Sequence, residues 1–507
     1  MNFYAIGIGG TGAKCMEALI HSCAAGLMPK GRLSCLYIDP DRSNGSVGRS
    51  MVSLNKYIEC KKLSLGNIEL FNNKLEILKP GLWSPIATHI RPTLSNFFRY
   101  DTMKSERPEA AHLMDVLYSN KEKETTLEQG FRGYPSIGAG IMSMAINDKS
   151  EPWRTFAQKI VQDLKAGDGA RVFLFGSIFG GTGASGLPTI ARKIKNTVME
   201  ELGRANAQSM VSEKIQVGAA MVLPYFSFVF LEKEDELKAK SENFLLNTQV
   251  ALKYYHQMDS LKIYDTVYLF GDETQSPVSK ASLGGKTQEN EPHFIELYAA
   301  LSAIDFFNGQ DHIGYLMVAR ANNKVIDWQD LPDKRGTSII KNKIGQMTRF
   351  AFAYLSTYFP MIEDIKEKGN PCQAPWFIDL FERENIKLSK EEVYQSLLDI
   401  KDYCETYLKW ISSIHESVKD ESINLIKYDA FTHMQDEEEV KRGDLLRDFK
   451  FTEFNNLVYP FAHRSRNGLG QLWDKMSDIS ASDFKGEQVD GIGKFINALY
   501  KKCSVKQ

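Results

Sequence analysis

The tetrapeptide Gly-Gly-Thr-Gly occurs at residues 9–12 and again at 180–183, and each copy follows an apolar run and precedes a helical pattern. The first unit is "FYAIGI" (3–8), the glycines, then "AKCMEALIHSC", in which Met16, Leu19 and Ile20 recur at helical spacing. The second is "RVFLFGSIF", "GGTGASG" and "LPTIARKIKNTV", with Pro188 expected in the first helical turn, where a missing N–H costs little. A strand that feeds a glycine turn and then a helix is the building unit of a parallel sheet. Two such units commit the chain to an α/β architecture.

Further stretches extend the pattern. "LSCLYIDPD" (33–41) is apolar up to an acidic end, as expected of a buried parallel strand with polar residues at its carboxyl edge. "QVGAAMVLPYFSF" predicts a strand and an aromatic loop, residues 234–257 a helix, and 264–273 another strand. "HFIELYAALSAIDFF" (293–307) is apolar on most faces, which predicts a central helix. Residues 46–128 hold four prolines among broken helical patterns and are expected to be an insertion beside the sheet. After them "GFRGYPSIGAGIMSMAI" (130–146) reads as a glycine-rich turn with an apolar helix behind it.

The predicted fold is a mostly parallel doubly wound sheet over residues 1–335, followed by a largely helical region over 336–507. In that region Ser389 and Glu392 have the spacing of a capping box. The helix they would start carries Val393, Leu397, Ile400, Cys404, Tyr407, Ile411 and Ile414 at steps of four and three. Such a seam requires a partner helix, either elsewhere in the chain or on another protein.

Length and composition narrow the function. A chain of 507 residues is long enough for two or three cores. Its 62 basic and 64 acidic residues leave a formal charge of -2, so no global field favours nucleic acid. The seven cysteines are scattered without a Cys-x-x-Cys or a ligand-spaced His pair, which points to a reducing compartment and away from a disulfide framework or a structural zinc site. The start "MNFYAIGIGG" lacks the features of a signal peptide and no apolar run is long enough to span a bilayer. A cytoplasmic protein is the expectation.

"GIGGTG" (7–12) satisfies G-x-G-x-x-G between a strand and a helix, and Asp39 closes the second strand. Glycines let the backbone approach a phosphate, and a helix N-terminus offers unpaired N–H groups to its charge. Alone, this pattern suggests a dinucleotide site with Asp39 on a ribose, or a merely structural turn. The second loop favours a nucleoside triphosphate gripped from two sides. Thr11 and Thr182 add hydroxyls that can donate to phosphate or help order Mg2+. The sequence Gly285-Lys286-Thr287 is not a Walker P-loop, because Lys280 stands where the first glycine is needed and no apolar strand leads in.

The arrangement resembles the tubulin/FtsZ superfamily, in particular its divergent bacterial tubulin-like members. "GIGGTGAK" is similar to the family's first glycine loop and "GGTGASG" to its GGTG signature. Tyr134-Pro135-Ser136-Ile137-Gly138, preceded by Arg132-Gly133, resembles the intervening Asn-Pro-x-Val-Gly loop, and Pro224-Tyr225-Phe226-Ser227-Phe228 resembles Pro-Phe-x-Phe. Asp327-Trp328-Gln329-Asp330-Leu331 resembles the catalytic Asp-Phe-x-Asp-Val loop.

The resemblance implies a nucleotide site made of Gly9, Gly10, Thr11, Gly12, Lys14, Asp39, Arg132, Gly133, Gly180, Gly181, Thr182, Gly183 and Asn243, with GTP or another NTP and Mg2+ as cofactors. It further implies a GTPase in which Asp327 and Asp330 of one subunit orient water on the nucleotide of the next, so that hydrolysis accompanies head-to-tail filament assembly. The chain departs from the family at Phe179, at the extra Ser185, and at Gly271-Asp272, where a guanine-reading Asn is usual; Asn243 or Asn247 would have to compensate. Two alternatives stand beside this reading. One is a nucleotide-binding switch or scaffold that barely hydrolyses and recruits a partner through its C-terminal helices. The other is an NAD(P)-dependent oxidoreductase, which the second loop and the lack of a His, Tyr and Lys cluster disfavour.

Overall fold

The computed structural model describes residues 2–504 except 88, 90, 132, 147–149, 204–206, 229–240, 259, 273–274, 279–284, 287–289, 310–324, 329, 332–337, 370–371, 418–421, 427–453, 455–456, 459–467, 480, 485–486 and 490. In chain order, β1 (Asn2–Ile8) runs into α1 (Gly9–Ala24), and β2 (Arg32–Ile38) is followed by α2 (Gly45–Cys60) and β3 (Lys74–Trp83). Short helices between 94 and 124 lead to α3 (Pro135–Ala145) and α4 (Trp153–Lys165). Then come β4 (Ala170–Ser177), α5 (Gly181–Leu202), β5 (Ile215–Val222), α6 (Ser241–Gln257), β6 (Thr266–Phe270) and the central α7 (Phe294–Phe307). The C-terminal region contains α8 (Ser338–Ala353), the long α9 (Glu391–Glu416) and α10 (Gly491–Lys502) among shorter helices.

The six strands form one sheet in the order β3-β2-β1-β4-β5-β6, and every neighbouring pair is parallel. Alternation along β1 explains its two cores. Phe3 and Ala5 face α1, α2 and α7, whereas Tyr4, Ile6 and Ile8 face the layer of α3, α4 and α5. With helices on both faces, the strands read as continuous apolar runs, as expected for a doubly wound sheet.

The structure revises the expected insertion. Residues 45–60 form α2, which packs on α1, and residues 74–83 form β3, whose first half pairs with β2 in register Arg32↔Lys74. Pro80 hid this strand from a reading by composition; at the outer position of the described sheet a missing N–H is tolerated. Among the described residues of that stretch, 94–124 with their short helices lie outside the strand-helix alternation.

Helix α5 also differs from expectation. It begins at Gly181 rather than after the glycines, so Pro188 lies inside the helix instead of in its first turn. Likewise α9 starts at Glu391 with Lys390 at the N-cap and no side-chain cap bond. The Lys390 carbonyl accepts the N–H groups of Val393 and Tyr394, which places Ser389 one position too early for the expected capping box with Glu392.

The α9 seam finds its partners within the chain. Leu397, Ile400, Cys404, Tyr407, Ile411 and Ile414 are buried against α2, α8 and the end of α1. Lys56 of α2 donates to the Asp402 carbonyl at 3.1 Å and to Thr406 Oγ1 at 2.7 Å, and His21 Nδ1 lies 3.0 Å from the Tyr403 hydroxyl. The helical region therefore shares a core with one face of the sheet. The strand-like stretch "IGYLMVA" lies outside the described residues.

Candidate phosphate-binding crest

Strand order reverses between β1 and β4, and α1 leaves on one face of the sheet while α5 leaves on the other. The crevice at the carboxyl edge of such a point is where doubly wound sheets bind ligands. Both GGTG segments emerge there, from neighbouring strands in register Ile8↔Gly176.

The two segments touch. Gly9 has φ +73°, and a Cβ on it would lie 3.3 Å from the Thr182 Cβ and 3.8 Å from the Gly183 nitrogen. The last glycine of each segment has an equivalent task. A Cβ on Gly12 would lie 2.5 Å from the Phe175 carbonyl oxygen, and one on Gly183 2.2 Å from that of Ser177, so both helices start against bare strand backbone. The turn before α3 completes the crest: a Cβ on Gly181 would lie 2.9 Å from Phe131 Cβ and 3.1 Å from the Gly133 nitrogen. Arg132 lies outside the described residues.

Both tetrapeptides form the first turns of their helices, which low glycine helix propensity concealed. The N-caps are Ile8 and Gly180, neither helix has a side-chain cap bond, and neither has an acid in its first turn. Two helix ends thus bring unpaired N–H groups and positive dipole ends to one place. Gly10, Thr11, Gly180 and Thr182 are the partly exposed members of the set.

Asp39 follows β2 and is 3% exposed. Its carboxyl oxygens accept the Asp41 amide at 2.9 Å and the Asn44 side-chain amide at 3.3 Å, while burial pushes its pKa up to about 8. Asn44 is the link to the first loop. It caps α2 by accepting the Ser46 and Val47 amides, and a Cβ on Gly10 would come within 3.2 Å of its Nδ2. The Asp41 carboxylate takes the Ser43 amide at 2.9 Å and the Gly285 amide at 2.6 Å. Asp41 and Asn44 were missed in the sequence, although an Asp-x-x-Asn run before a helix is a capping signal that could have found Asn44.

Lys14 is not with the loop residues. It is 3% exposed, turned into the core and ion-paired with Glu296 of α7. Asn243 falls in α6, with its side chain outside the described set, while Asn247 donates to the Phe179 carbonyl at 3.3 Å, next to the second loop. Asp327 and Asp330 form a turn of their own after the two-residue strand Val325–Ile326: Asp330 Oδ2 accepts the Asp327 amide at 2.8 Å, and Tyr298 of α7 donates to the Asp330 carbonyl at 2.7 Å. Trp328 and Leu331 anchor that turn in the core, leaving both acids partly exposed.

Among the described residues, no group of three or more His, Cys, Asp or Glu side chains could hold a metal ion. A Mg2+ ion carried by a triphosphate usually rests on phosphate oxygens and waters with one or two protein oxygens, and the partly exposed Thr182 would offer one. No described helix is long and apolar enough to cross a membrane.

Fold and crest define a doubly wound α/β protein whose two uncapped helix ends meet at the sheet's switch point. No family model and no curated protein matches the sequence. Among solved structures the chain is similar to CetZ from Methanosaeta thermophila strain DSM 6194, at 13% identity, over 60% of this chain and 50% of that one, with a TM-score of 0.22. A likeness so remote carries no weight on fold or function.

Proposed function

We propose that the chain binds a nucleoside triphosphate, GTP in the first instance, with Mg2+, in a cytoplasmic protein of the tubulin/FtsZ type. The observation that carries this reading is the contact of Gly9 with Thr182, which joins two helix N-termini from sequence positions far apart into one crest. A triphosphate along that crest would meet backbone N–H groups of α1 on one side and of α5 on the other. Support for the family resemblance comes from the third motif, because the Gly133 turn abuts the second loop.

Hydrolysis is proposed to require a second copy. Asp327 and Asp330 would orient water on a neighbouring subunit's nucleotide, while backbone donors, Thr182 and Mg2+ stabilise charge on the phosphoryl group. In support, the two carboxylates are partly exposed on a turn anchored to α7 rather than to either glycine loop. One observation favours a nucleotide switch with little hydrolysis: an oxygen of Asp330 is already occupied by the Asp327 amide. In that reading the C-terminal helices, packed directly on α1 and α2, carry the output.

The test is phosphate release per molecule with Mg-GTP and with Mg-ATP across a wide range of protein concentration. A specific rate that climbs with concentration supports assembly-coupled hydrolysis and identifies the base. A flat, near-zero rate with nucleotide bound supports the switch. Failure to bind either nucleotide overturns both.

A further inference from the structure

Helix α6 is apolar on two sides. Phe244, Ala251 and Tyr255, with Thr248, are buried on its inner side. Its outer side carries Leu245, Leu246, Val250, Tyr254 and Met258, each 45–59% exposed. Four of these, Leu246, Val250, Tyr254 and Met258, recur at intervals of four, so they line up as one ridge along the helix. Met258 extends the ridge just past the last helical residue, its amide bonded to the Tyr254 carbonyl at 2.9 Å. Single exposed leucines need no explanation, but five large apolar side chains in one stripe mark an interaction site.

The ridge is complementary to a copy of itself. The i, i+4 rows of two helices interdigitate at a crossing angle of about -50°, and a two-fold contact presents the same row from both sides. With the axis at Val250, that residue meets its own copy, and Leu246 meets the partner's Tyr254. Charge agrees with this pairing. Between Phe244 and Met258 there is no acid, and the basic side chains are Lys253 and His256. The same axis sets Lys253 opposite the partner's Asn247 and away from a second lysine. The area suffices as well: the five side chains expose roughly 500 Å² per copy, so a pair reaches the about 1,000 Å² that a specific interface needs. Gln249, Lys253 and Gln257, all exposed, add a polar rim.

We propose that the outer ridge of α6 is a homodimer interface, on which a second copy of this chain lays the same ridge about a two-fold axis at Val250. A contact of this kind closes, so it makes pairs and not filaments. It goes beyond the nucleotide reading and does not rest on it.

Sedimentation equilibrium of the full chain without nucleotide should show a reversible monomer–dimer equilibrium with Kd on the order of 10 μM, the weak end suited to a small interface. Val250→Asp, which sets two carboxylates face to face at the axis, should give a monomer with native circular dichroism. Leu113→Asp, in a separate exposed apolar patch with Val116 and Leu117, should leave the dimer intact. Cross-linking tests the geometry and decides even if Val250→Asp does not fold. Under mild oxidation Val250→Cys should join to itself, whereas Leu246→Cys should cross-link only when mixed with Tyr254→Cys. Wild type, whose cysteines are all buried except the partly exposed Cys372, supplies the background. A wild-type chain that stays monomeric at about 0.5 mM, or a dimer that survives Val250→Asp, overturns the proposal. Open polymers abolished by Val250→Asp overturn it too, since a two-fold contact closes. So does a monomer that instead binds lipid vesicles through the ridge.

Discussion

Tyr255 of α6 donates its hydroxyl at 2.6 Å to the carbonyl of Ala184, the group that Pro188 leaves without a helical N–H four residues on. A proline inside a helix removes one hydrogen bond and crowds the preceding turn. Here a buried phenol replaces the lost donor close behind the second glycine segment. Tyr255→Phe should therefore destabilise the protein by about 1–3 kcal/mol, the cost of stranding a buried carbonyl. Restoring the amide with Pro188→Ala should shrink that cost, and urea midpoints of the two singles and the double would read the coupling. Strict additivity would sever the two residues.

Gly9 and Gly48 provide a matched pair. Gly9 has φ +73° and sits against Thr182, whereas Gly48, inside α2, has nothing within 4 Å of the place a Cβ would take and ordinary helical geometry. Gly9→Ala should cost about 1–2 kcal/mol from the left-handed backbone alone. It should also push the two loops apart and weaken nucleotide binding. Gly48→Ala should instead stabilise by about 0.5–1 kcal/mol, as alanine does in a helix. Equal effects of the two changes on affinity would argue against a crest built on the loop contact.

Much of this crest is legible in the sequence. Apolar runs mark β1, β2, β4 and β5 because buried parallel strands carry no polar alternation, and glycine between strand and helix marks both loops. The hidden parts depend on distant partners. β3 is obscured by Pro80, and the true start of α5 by glycines that weaken the helical pattern. The role of Lys14 is invisible in "GTGAK", because it is set by Glu296, a residue brought in by a helix that looks merely apolar. The α9 seam shows the need for a partner, but its neighbours on α2 come from the stretch that reads as an insertion.

His21 should make the fold sensitive to acid. Its ring is enclosed by Tyr403, Tyr407 and Trp410, and burial, with help from the charges of Arg49 and Lys56, lowers its pKa to about 3 from 6.5. The unfolded chain takes up a proton near pH 6.5 while the folded chain refuses it until about 3. The contribution is thus fully present above pH 6.5 and is lost as pH falls, at up to about 1.4 kcal/mol per pH unit. Denaturant titrations at pH 7.5 and 5.0 should show a loss about 2 kcal/mol larger in wild type than in His21→Gln. Equal losses would mean that His21 titrates normally.

Asp39 acts in the opposite direction. Its folded pKa, raised by burial from 3.8 to about 8, favours the protonated fold, so its contribution is complete below about pH 4 and fades as pH rises towards 8. At neutral pH the protonated carboxyl leaves no charge next to Asn44 and the first loop to oppose a phosphate. Mg-GTP affinity should fall several-fold more between pH 7 and 9 in wild type than in Asp39→Asn, roughly one unit of charge at close range. Parallel curves for the two proteins would show that Asp39 does not face the ligand.

Asp330 carries two separable roles. Its Oδ2 accepts the Asp327 amide at 2.8 Å, a bond that closes the turn, and its charge is the one proposed to orient water on a neighbouring subunit. Asp330→Asn keeps an acceptor for that amide and removes only the charge, whereas Asp330→Ala removes both. Both variants should bind Mg-GTP as wild type does, since the turn is tied to Tyr298 and not to the glycine loops. Phosphate release at high protein concentration should fall on the order of a hundredfold in each, the scale of a lost acid-base group. Only Asp330→Ala should also lower the melting temperature. Mixing either variant with chains lacking a working crest, such as Thr182→Ala, separates the readings further: a wild-type turn on one chain should rescue an intact crest on another. Normal release by Asp330→Asn would remove this residue from the chemistry and leave it as a turn former.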